Sequence, residues 1–254
     1  MLSAPEVDLT LVVPYFNPGP RLHQTVAQAV EVLRGTGRSF EVVTVSDGST
    51  DGSEQTLDDL LSDQVQQVVL PRQSGKGQAL RAGLSRGRGR YLGFIDGDGD
   101  LPPDLLAQFV AIVDDSRPDV VLGSKRHPGS QVVYPRARRV YSWGYQQLVR
   151  VLFRLNVRDT QTGIKLVRRQ VLQEVLPLTV ERGYAFDLEL LALARHLGFT
   201  DLVEAPVRIV ERFSSTISLP TVAAIFRDTL AIFWRLRIRH VYLPRHAPTA
   251  GSGR

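Results

Sequence analysis

The sequence predicts an α/β fold, with a mainly parallel central sheet flanked by helices and a C-terminal amphipathic helix. Three observations predict it. Through the first two-thirds of the chain, short β-rich runs alternate with segments whose apolar residues recur at helical spacing, the pattern of βαβ units. Four of those runs end in polar, glycine-bearing loops, as expected where an open sheet binds a ligand at its carboxyl edge. Of the 254 residues, 43% are hydrophobic and 22% charged, so there is apolar surface enough for a packed core.

The first strand is Asp8–Val13 (DLTLVV), ended by Pro14. The helix after it covers Arg21–Arg34, with Leu22, Val26, Ala29, Val30 and Leu33 at helical spacing. Phe40–Val45 (FEVVTV) is the second strand and Gly52–Leu61 is helical. Val65–Leu70 and Gly77–Ser85 repeat the alternation, and Tyr91–Ile95 (YLGFI), Asp104–Val113 and Val120–Gly123 complete it. A further helix is expected over Arg138–Leu155. Thr221–Tyr242 interleaves Val222, Ile225, Phe226, Leu230, Phe233, Trp234 and Ile238 with Arg227, Arg235, Arg237 and Arg239, as an amphipathic basic helix does. The chain is therefore expected to divide into a catalytic domain over 1–218, an amphipathic helix over 219–244 and a disordered tail over 245–254.

Composition excludes several classes of function. There is no cysteine, hence no disulfide framework, cysteine-based zinc site or cysteine nucleophile. The five histidines show no metal-ligand spacing. No stretch reaches the roughly 18 apolar residues of a membrane span. The N-terminal MLSAPEVDLTLVV sets acids before its apolar run, unlike a signal peptide. These features lead to an expectation of a cytoplasmic protein, peripheral on the inner face of the membrane. The formal net charge is +5, and from Val120 to Arg158 eight bases stand without one acid. A solvated face would mix signs, so this run points to an anionic partner: nucleic acid, anionic lipid or a phosphorylated substrate.

The four carboxyl-edge loops hold the chemistry. Pro14-Tyr15-Phe16-Asn17 follows the first strand and Ser46-Asp47-Gly48-Ser49 the second. Gly75-Lys76-Gly77 follows the third, and Asp96-Gly97-Asp98-Gly99-Asp100 the fourth. Two aspartates one residue apart suit a divalent cation shared with a diphosphate, because hard oxygen ligands prefer Mg²⁺ or Mn²⁺; the alternative is a solvated turn. An EF-hand is excluded, since Leu101 and Ala107 stand where it needs Gly and Glu. Asp47 suits a base or ribose contact, or an Asx turn. Lys76 opens a helix, where a cation can meet phosphate, yet Leu70 and Gly77 break the Walker pattern. The run Arg86-Gly87-Arg88-Gly89-Arg90 reads as a solvated connector. Asp187 and Glu189 sit in an otherwise apolar helix, where an unpaired carboxylate is costly; they face a site, cap the helix or form ion pairs.

Taken together, these stretches resemble the family 2 glycosyltransferases of the GT-A fold. They are most similar to polyprenyl-phosphate hexose synthases, and within these to the dolichyl-phosphate β-glucosyltransferase branch. The resemblance runs in order from about residue 8 to 218. Its specific parts are Arg158-Asp159-Thr160-Gln161-Thr162-Gly163-Ile164-Lys165-Leu166 and Ala185-Phe186-Asp187-Leu188-Glu189-Leu190, with Gly123-Ser124-Lys125 and Arg212-Phe213-Ser214-Ser215-Thr216 beside them. The resemblance implies donor binding by Pro14, Tyr15, Asn17, Asp47, Lys76, Asp96 and Arg212. Asn17 stands at a position usually acidic in the family. It implies a metal, Mg²⁺ or Mn²⁺, on Asp96 and Asp98, with Asp100 as an added ligand. Lys125, Arg138 and Arg139 would grip a lipid phosphate, Lys125 replacing the usual arginine and losing its bidentate fork. Asp98, Asp187 and Arg212 are the expected catalytic residues.

The expected reaction is inverting transfer of a hexose from a nucleotide sugar to a polyprenyl phosphate, with UDP-glucose the preferred donor and GDP-mannose the second. A phosphate acceptor is a nucleophile at neutral pH and needs little general base. A GT-A transferase with a soluble hydroxyl acceptor is the alternative, and it would need Asp187 as base. The expected partners are the nucleotide sugar, the lipid and the membrane surface. Nucleic acid is not among them, because it would leave Asp96 and Asp98 without purpose.

Overall fold

The computed structural model describes residues 4–132, 136–209, 219–239 and 241–242. A seven-stranded sheet forms its centre: β1 (Val7–Tyr15), β2 (Phe40–Ser46), β3 (Val65–Val69), β4 (Gly89–Ile95), β5 (Val120–Ser124), β6 (Ile164–Arg168) and β7 (Leu202–Pro206), in the order β3-β2-β1-β4-β6-β5-β7. The helices are α1 (Arg21–Gly35), α2 (Lys76–Leu84), α3 (Leu105–Ser116), α4 (Arg136–Phe153), α5 (Arg169–Val175), α6 (Phe186–His196) and α7 (Leu219–Phe233).

Alternation along the strands builds two cores. Val12, Val43, Val45 and Phe94 point to one face, where they meet Leu80 of α2, Val171 of α5 and Leu190 of α6. Leu11, Val13, Val42 and Ile95 point to the other, against Val26 of α1 and Phe109 of α3. Each fully buried Val, Leu or Phe contributes about 1.5–3 kcal/mol relative to exposure. The two-sided burial explains why these strands read as continuous apolar runs.

The sheet is mainly parallel as expected, with one reversal that the sequence concealed. β6 pairs antiparallel with both β4 and β5. Ile164 opposes Ile95, so the amino end of β6 arrives at the edge where β1, β2, β4 and β5 present their carboxyl ends. Lys165 interrupts the apolar pattern of Ile164–Val167, which hid this strand. β7, five residues long at the end of the sheet, was hidden by its Glu204.

Two local expectations differ. β1 continues through Pro14 to Tyr15, in register with Val45 and Ser46. The Pro14 carbonyl accepts Gly97 N–H at 3.2 Å, so this residue faces β4 beyond the last pair there, Val12–Phe94, and no ladder donor is missing. The segment 52–61 holds only a 3₁₀ turn, Gln55–Leu57. Ser53 donates its hydroxyl to Asp51 Oδ1 at 2.5 Å and Thr56 donates to Ser53 O at 2.7 Å, local bonds that compete with a helix.

α7 continues into a five-residue π turn, Trp234–Ile238. One side packs on the domain: Thr229, Ile232 and Leu236 are buried, Tyr145 and Phe226 meet edge to face at 5.6 Å, and Arg235 pairs with Glu181. The other side leaves Leu230, Trp234 and Ile238 exposed, with Phe226 at the boundary and Val241 exposed beyond the turn. The helix is thus apolar on two sides, one covered by the domain and one exposed. The tail expected over 245–254 lies outside the described residues. Among those residues, no helix is long and apolar enough to cross a membrane.

Candidate active site

The loops at the carboxyl edge are stitched to one another by their own polar side chains. Asn17, in the left-handed region at φ 48°, accepts Thr50 N–H at 2.8 Å on Oδ1 and donates its N–H to Ser49 Oγ at 3.1 Å. Gly19 N–H donates to Asp51 Oδ2 at 2.9 Å. Asp47 is buried and accepts Ser74 N–H at 2.7 Å and Gly75 N–H at 2.8 Å, one on each oxygen. Asp47 therefore clamps the loop after β3, where a ligand contact was expected, because the buried carboxylate must be satisfied from within. Tyr15 is likewise turned inward. Its ring joins the core, its hydroxyl accepts Gln67 Nε2 at 3.1 Å, and burial pushes its pKa up to about 12. Pro14 is buried beside it. These residues stand at the expected edge and form the floor and seams of the cleft.

Above the floor lies a chain of alternating charges. Lys76 Nζ, at the start of α2, lies 2.6 Å from Asp96 Oδ1 and 3.8 Å from Asp187 Oδ2. Lys165, only 1% exposed, donates to Thr162 O at 2.8 Å and to Asp187 Oδ1. Both ammonium groups also lie over the Phe94 ring, at 5.9 and 5.2 Å from its centroid. Burial alone would lower the pKa of Lys76; the charges of Asp96 and Asp187 outweigh it and hold it above its ordinary range. The sequence placed Lys76 on a phosphate. In the structure its partners are two carboxylates.

Lys165 was not anticipated as a site residue. Its signal was a lysine at the inward register of an otherwise apolar strand, where an unpaired charge would be very costly. Gly163 was missed as well. Asp96 N–H donates to Gly163 O at 3.0 Å, and an added Cβ at 163 would overlap Asp96 Oδ2 and Cγ and stand 3.0 Å from Oδ1. Only glycine lets β6 approach that carboxylate. Gly75 plays a similar part at φ 101°, with the Arg182 carbonyl carbon 3.0 Å from the position of a Cβ.

Asp187 and Glu189, two residues apart on α6, point in nearly opposite directions. Asp187 faces the cleft. Glu189 is buried behind it and accepts Val180 N–H at 3.0 Å, Glu181 N–H at 2.8 Å and the Tyr242 hydroxyl at 2.5 Å. Glu189 thus braces the 180–181 turn and the C-terminal segment. Burial raises its pKa.

Asp98 Oδ1 accepts Asp100 N–H at 3.1 Å. Desolvation in the cleft, with the Asp100 charge beside it, raises the pKa of Asp98; Lys76 and Lys125 oppose the shift. Asp96, Asp98 and Asp100 do not close into a cage: among the described residues no three acid or histidine groups gather to hold a metal ion. Lys76 occupies the flank of Asp96. The donor set nevertheless fits Mg²⁺ or Mn²⁺ in the manner of phosphate-handling sites, with one or two carboxylates from the protein and the other oxygens from a diphosphate and water.

Lys125 ends just beyond β5, where its N–H donates to Asp159 Oδ2 at 3.1 Å. Asp159 also takes Gln161 N–H at 2.9 Å and the Thr162 hydroxyl at 2.6 Å, which fixes the turn into β6. The charge of Lys125 opposes the rise in the pKa of Asp98. Arg138 and Arg139 lie in the first turn of α4, where the backbone is described. Their side chains, and all of Arg212, lie outside the described residues. Arg158 is answered by Glu204, which accepts its N–H at 2.7 Å and lies 4.0 Å from its guanidinium. One of the eight bases is thus neutralised within the protein.

The profile of Glycosyl transferase family 2 matches residues 10–176. The chain belongs to that family. Its relatives include the dolichyl-phosphate beta-glucosyltransferase of Drosophila melanogaster, 33% identical over 226 residues that cover 82% of this chain and 69% of the relative. That of Saccharomyces cerevisiae is 29% identical over 210 residues, 74% of this chain and 63% of the relative. Glycosyltransferase AglD of Haloferax volcanii is 28% identical, over 93% of this chain and 39% of the relative. The chain therefore spans less than two-thirds of some of the relatives it matches.

Among solved structures it is similar to glucosyl-3-phosphoglycerate synthase of Mycobacterium tuberculosis, crystallised with UDP. The TM-score is 0.69 and the identity 17%, covering 90% of this chain and 79% of that one. The same enzyme in complex with Mn²⁺, UDP and phosphoglyceric acid gives 0.69 at 20%, covering 90% and 78%. The fold of this family 2 glycosyltransferase is GT-A. Its cleft joins fixed carboxylates near Asp98 to ammonium groups at Lys76 and Lys125, an arrangement able to hold two anions close together.

Proposed function

We propose that this family 2 glycosyltransferase transfers glucose from UDP-glucose to the phosphate of a polyprenyl phosphate, with inversion at the anomeric carbon. The observation that carries the reading is Asp187. Lys165 engages one of its oxygens and Lys76 lies 3.8 Å from the other, so both oxygens are committed to ammonium groups and the carboxylate serves as a fixed counter-charge. An acceptor hydroxyl would need a carboxylate free to approach it and take its proton. A phosphomonoester does not, since its second pKa is near 6 and it is dianionic at pH 7. This favours the phosphate acceptor over the soluble hydroxyl alternative.

In the proposed step, an acceptor phosphate oxygen attacks C1 of the sugar as the bond from C1 to the β-phosphate oxygen breaks. UDP leaves with the electron pair, and no proton need move. Asp98 and Asp96 would hold Mg²⁺ or Mn²⁺, which would supply positive charge to neutralise that growing on the departing diphosphate. Lys125, with Arg138 and Arg139, would hold the acceptor phosphate, and Arg212 would close over the diphosphate. Asn17 and the seams at Asp47 keep the nucleotide-side loops in place. Relatives named dolichyl-phosphate beta-glucosyltransferase support the acceptor class and the sugar. A fold neighbour crystallised with Mn²⁺, UDP-glucose and phosphoglyceric acid supports the donor and the cation, and GDP-mannose ranks second. The exposed apolar stripe of α7, flanked by arginines, would rest on the membrane that holds the lipid, on its cytoplasmic face.

The test is incubation of the chain with UDP-glucose, GDP-mannose and other sugar nucleotides, a divalent cation and a short polyprenyl phosphate, followed by mass analysis of the lipid. A glucosyl lipid formed with UDP release is expected. Absence of lipid-linked hexose from every donor defeats the reading.

A further inference from the structure

A second cationic site lies at the far end of α6 from Asp187, about 12 Å along the helix. It is a cavity of about 300 Å³ lined by Phe153 and Arg154 of the α4 end, Ala192, Arg195 and His196 of α6, and Leu236 and Arg237 of the π turn. The floor is apolar, since Phe153, Ala192 and Leu236 are buried. The rim is three exposed arginines from three different elements. No carboxylate lines it, and among the described residues none pairs with Arg154, Arg195 or Arg237. One cation would answer the negative end of the α6 dipole. Three unneutralised guanidiniums converging on a concave floor exceed that need and repel one another unless an anion joins them.

Exposed apolar side chains border this rim. Val151 is 75% exposed one turn before Arg154, and Trp234 and Ile238 flank Arg237 at 55% and 51%. Guanidinium forks recognise phosphate bidentately. A phosphate anion that arrives with apolar surroundings belongs to a lipid, and with the acceptor phosphate assigned to Lys125, Arg138 and Arg139 the lipid here is a phospholipid of the bilayer. We infer that Arg154, Arg195 and Arg237 form a binding site for the phosphate of an anionic phospholipid, separate from the acceptor site, which fixes the protein on the bilayer. The inference rests on the membrane-facing reading of α7 and adds to it a headgroup pocket.

The test is co-sedimentation of the full chain with vesicles of phosphatidylcholine, alone or mixed with phosphatidylglycerol. Each arginine near an anionic surface is worth about fivefold in partitioning, so Arg154→Gln/Arg195→Gln/Arg237→Gln should weaken binding to the mixed vesicles about a hundredfold. An equal charge loss elsewhere, Arg34→Gln/Arg86→Gln/Arg117→Gln, should change it by less than about fivefold. Glucosyl transfer to a short soluble acceptor phosphate stays unchanged in the pocket variant, which separates this inference from the transferase reading. Equal losses in the two triple variants overturn it. So does vesicle binding that disappears in Trp234→Ser/Ile238→Ser but survives in the pocket variant; that leaves the membrane-facing stripe and removes the headgroup site. Calorimetry with inorganic phosphate and pyrophosphate tests a soluble source: arginine-dependent binding of either without arginine-dependent vesicle binding assigns the pocket to a free anion and overturns the lipid.

Discussion

Gly163→Ala places one methyl group against the carboxylate of Asp96. The added Cβ would overlap Oδ2 and Cγ and stand 3.0 Å from Oδ1. Ordinary carbon contacts are about 3.5 Å or longer, so the carboxylate must retreat by about 1 Å or more. That movement opens the 2.6 Å contact with Lys76 and displaces the residue expected beside the diphosphate. Overpacking of this kind costs about 1–3 kcal/mol. At about 2–4 °C per kcal/mol for a chain of this size, the melting temperature should fall by roughly 2–12 °C. The kinetic loss should be much larger in proportion, because a misplacement of about 1 Å in a positioned group lowers the rate about a hundredfold. The assay is kcat for sugar transfer, measured well below the variant's own melting temperature, beside a thermal melt. A variant that melts lower but keeps kcat within about threefold would refute the reasoning, since Asp96 would then be free to move without consequence.

Other outcomes follow from the same geometry. Lys165→Met removes the nearer counter-ion of Asp187 while Lys76 stays 3.8 Å from its other oxygen, and should destabilise by about 1–3 kcal/mol in a denaturant titration; Lys165→Met/Asp187→Leu should regain most of that stability and none of the activity. Asp98→Ala should abolish the metal-dependent part of UDP binding by calorimetry, and unchanged affinity would contradict a metal role for Asp98. The Ser53 hydroxyl, with the backbone donors of Ser53 and Gly19, holds Asp51 below its ordinary value of 3.8. Its contribution to stability is therefore present above that value and lost as pH falls through the lowered one. Asp51→Asn should melt below wild type at pH 7, and the gap should close on acidification; a gap that persists at the lowest pH would exclude this linkage.

Much of the fold was legible because the strands that carry it are buried on both sides. DLTLVV, FEVVTV and YLGFI have no other stable place than the middle of a covered sheet, and each is followed by a glycine-bearing polar loop, the last two rich in aspartate. The reversal at β6 was not legible. It depends on a lysine that looks like a surface residue until its partner on α6, twenty-two positions away, is in place. The cleft was legible as a set of loops and less so as a set of roles. Asp47 and Tyr15 stand at the right edge but turn inward, and whether a polar side chain faces a ligand or a neighbouring loop depends on backbone amides that no motif displays. Glu189 illustrates the same point: its spacing from Asp187 places it on the opposite side of α6, where the C-terminal segment supplies Tyr242.

The register of β6 has a consequence beyond the sheet. Lys165 sits opposite Phe94 and faces α6, while Leu166 faces the other core. A slip of one residue would exchange them, sending an ammonium into oil and taking from Asp187 its nearer counter-ion. The misaligned sheet would thus be penalised twice, once by burial and once by charge. A protein that has paired this strand correctly has, in the same act, assembled the polar heart of its cleft, so few copies should ever be well folded yet chemically inert.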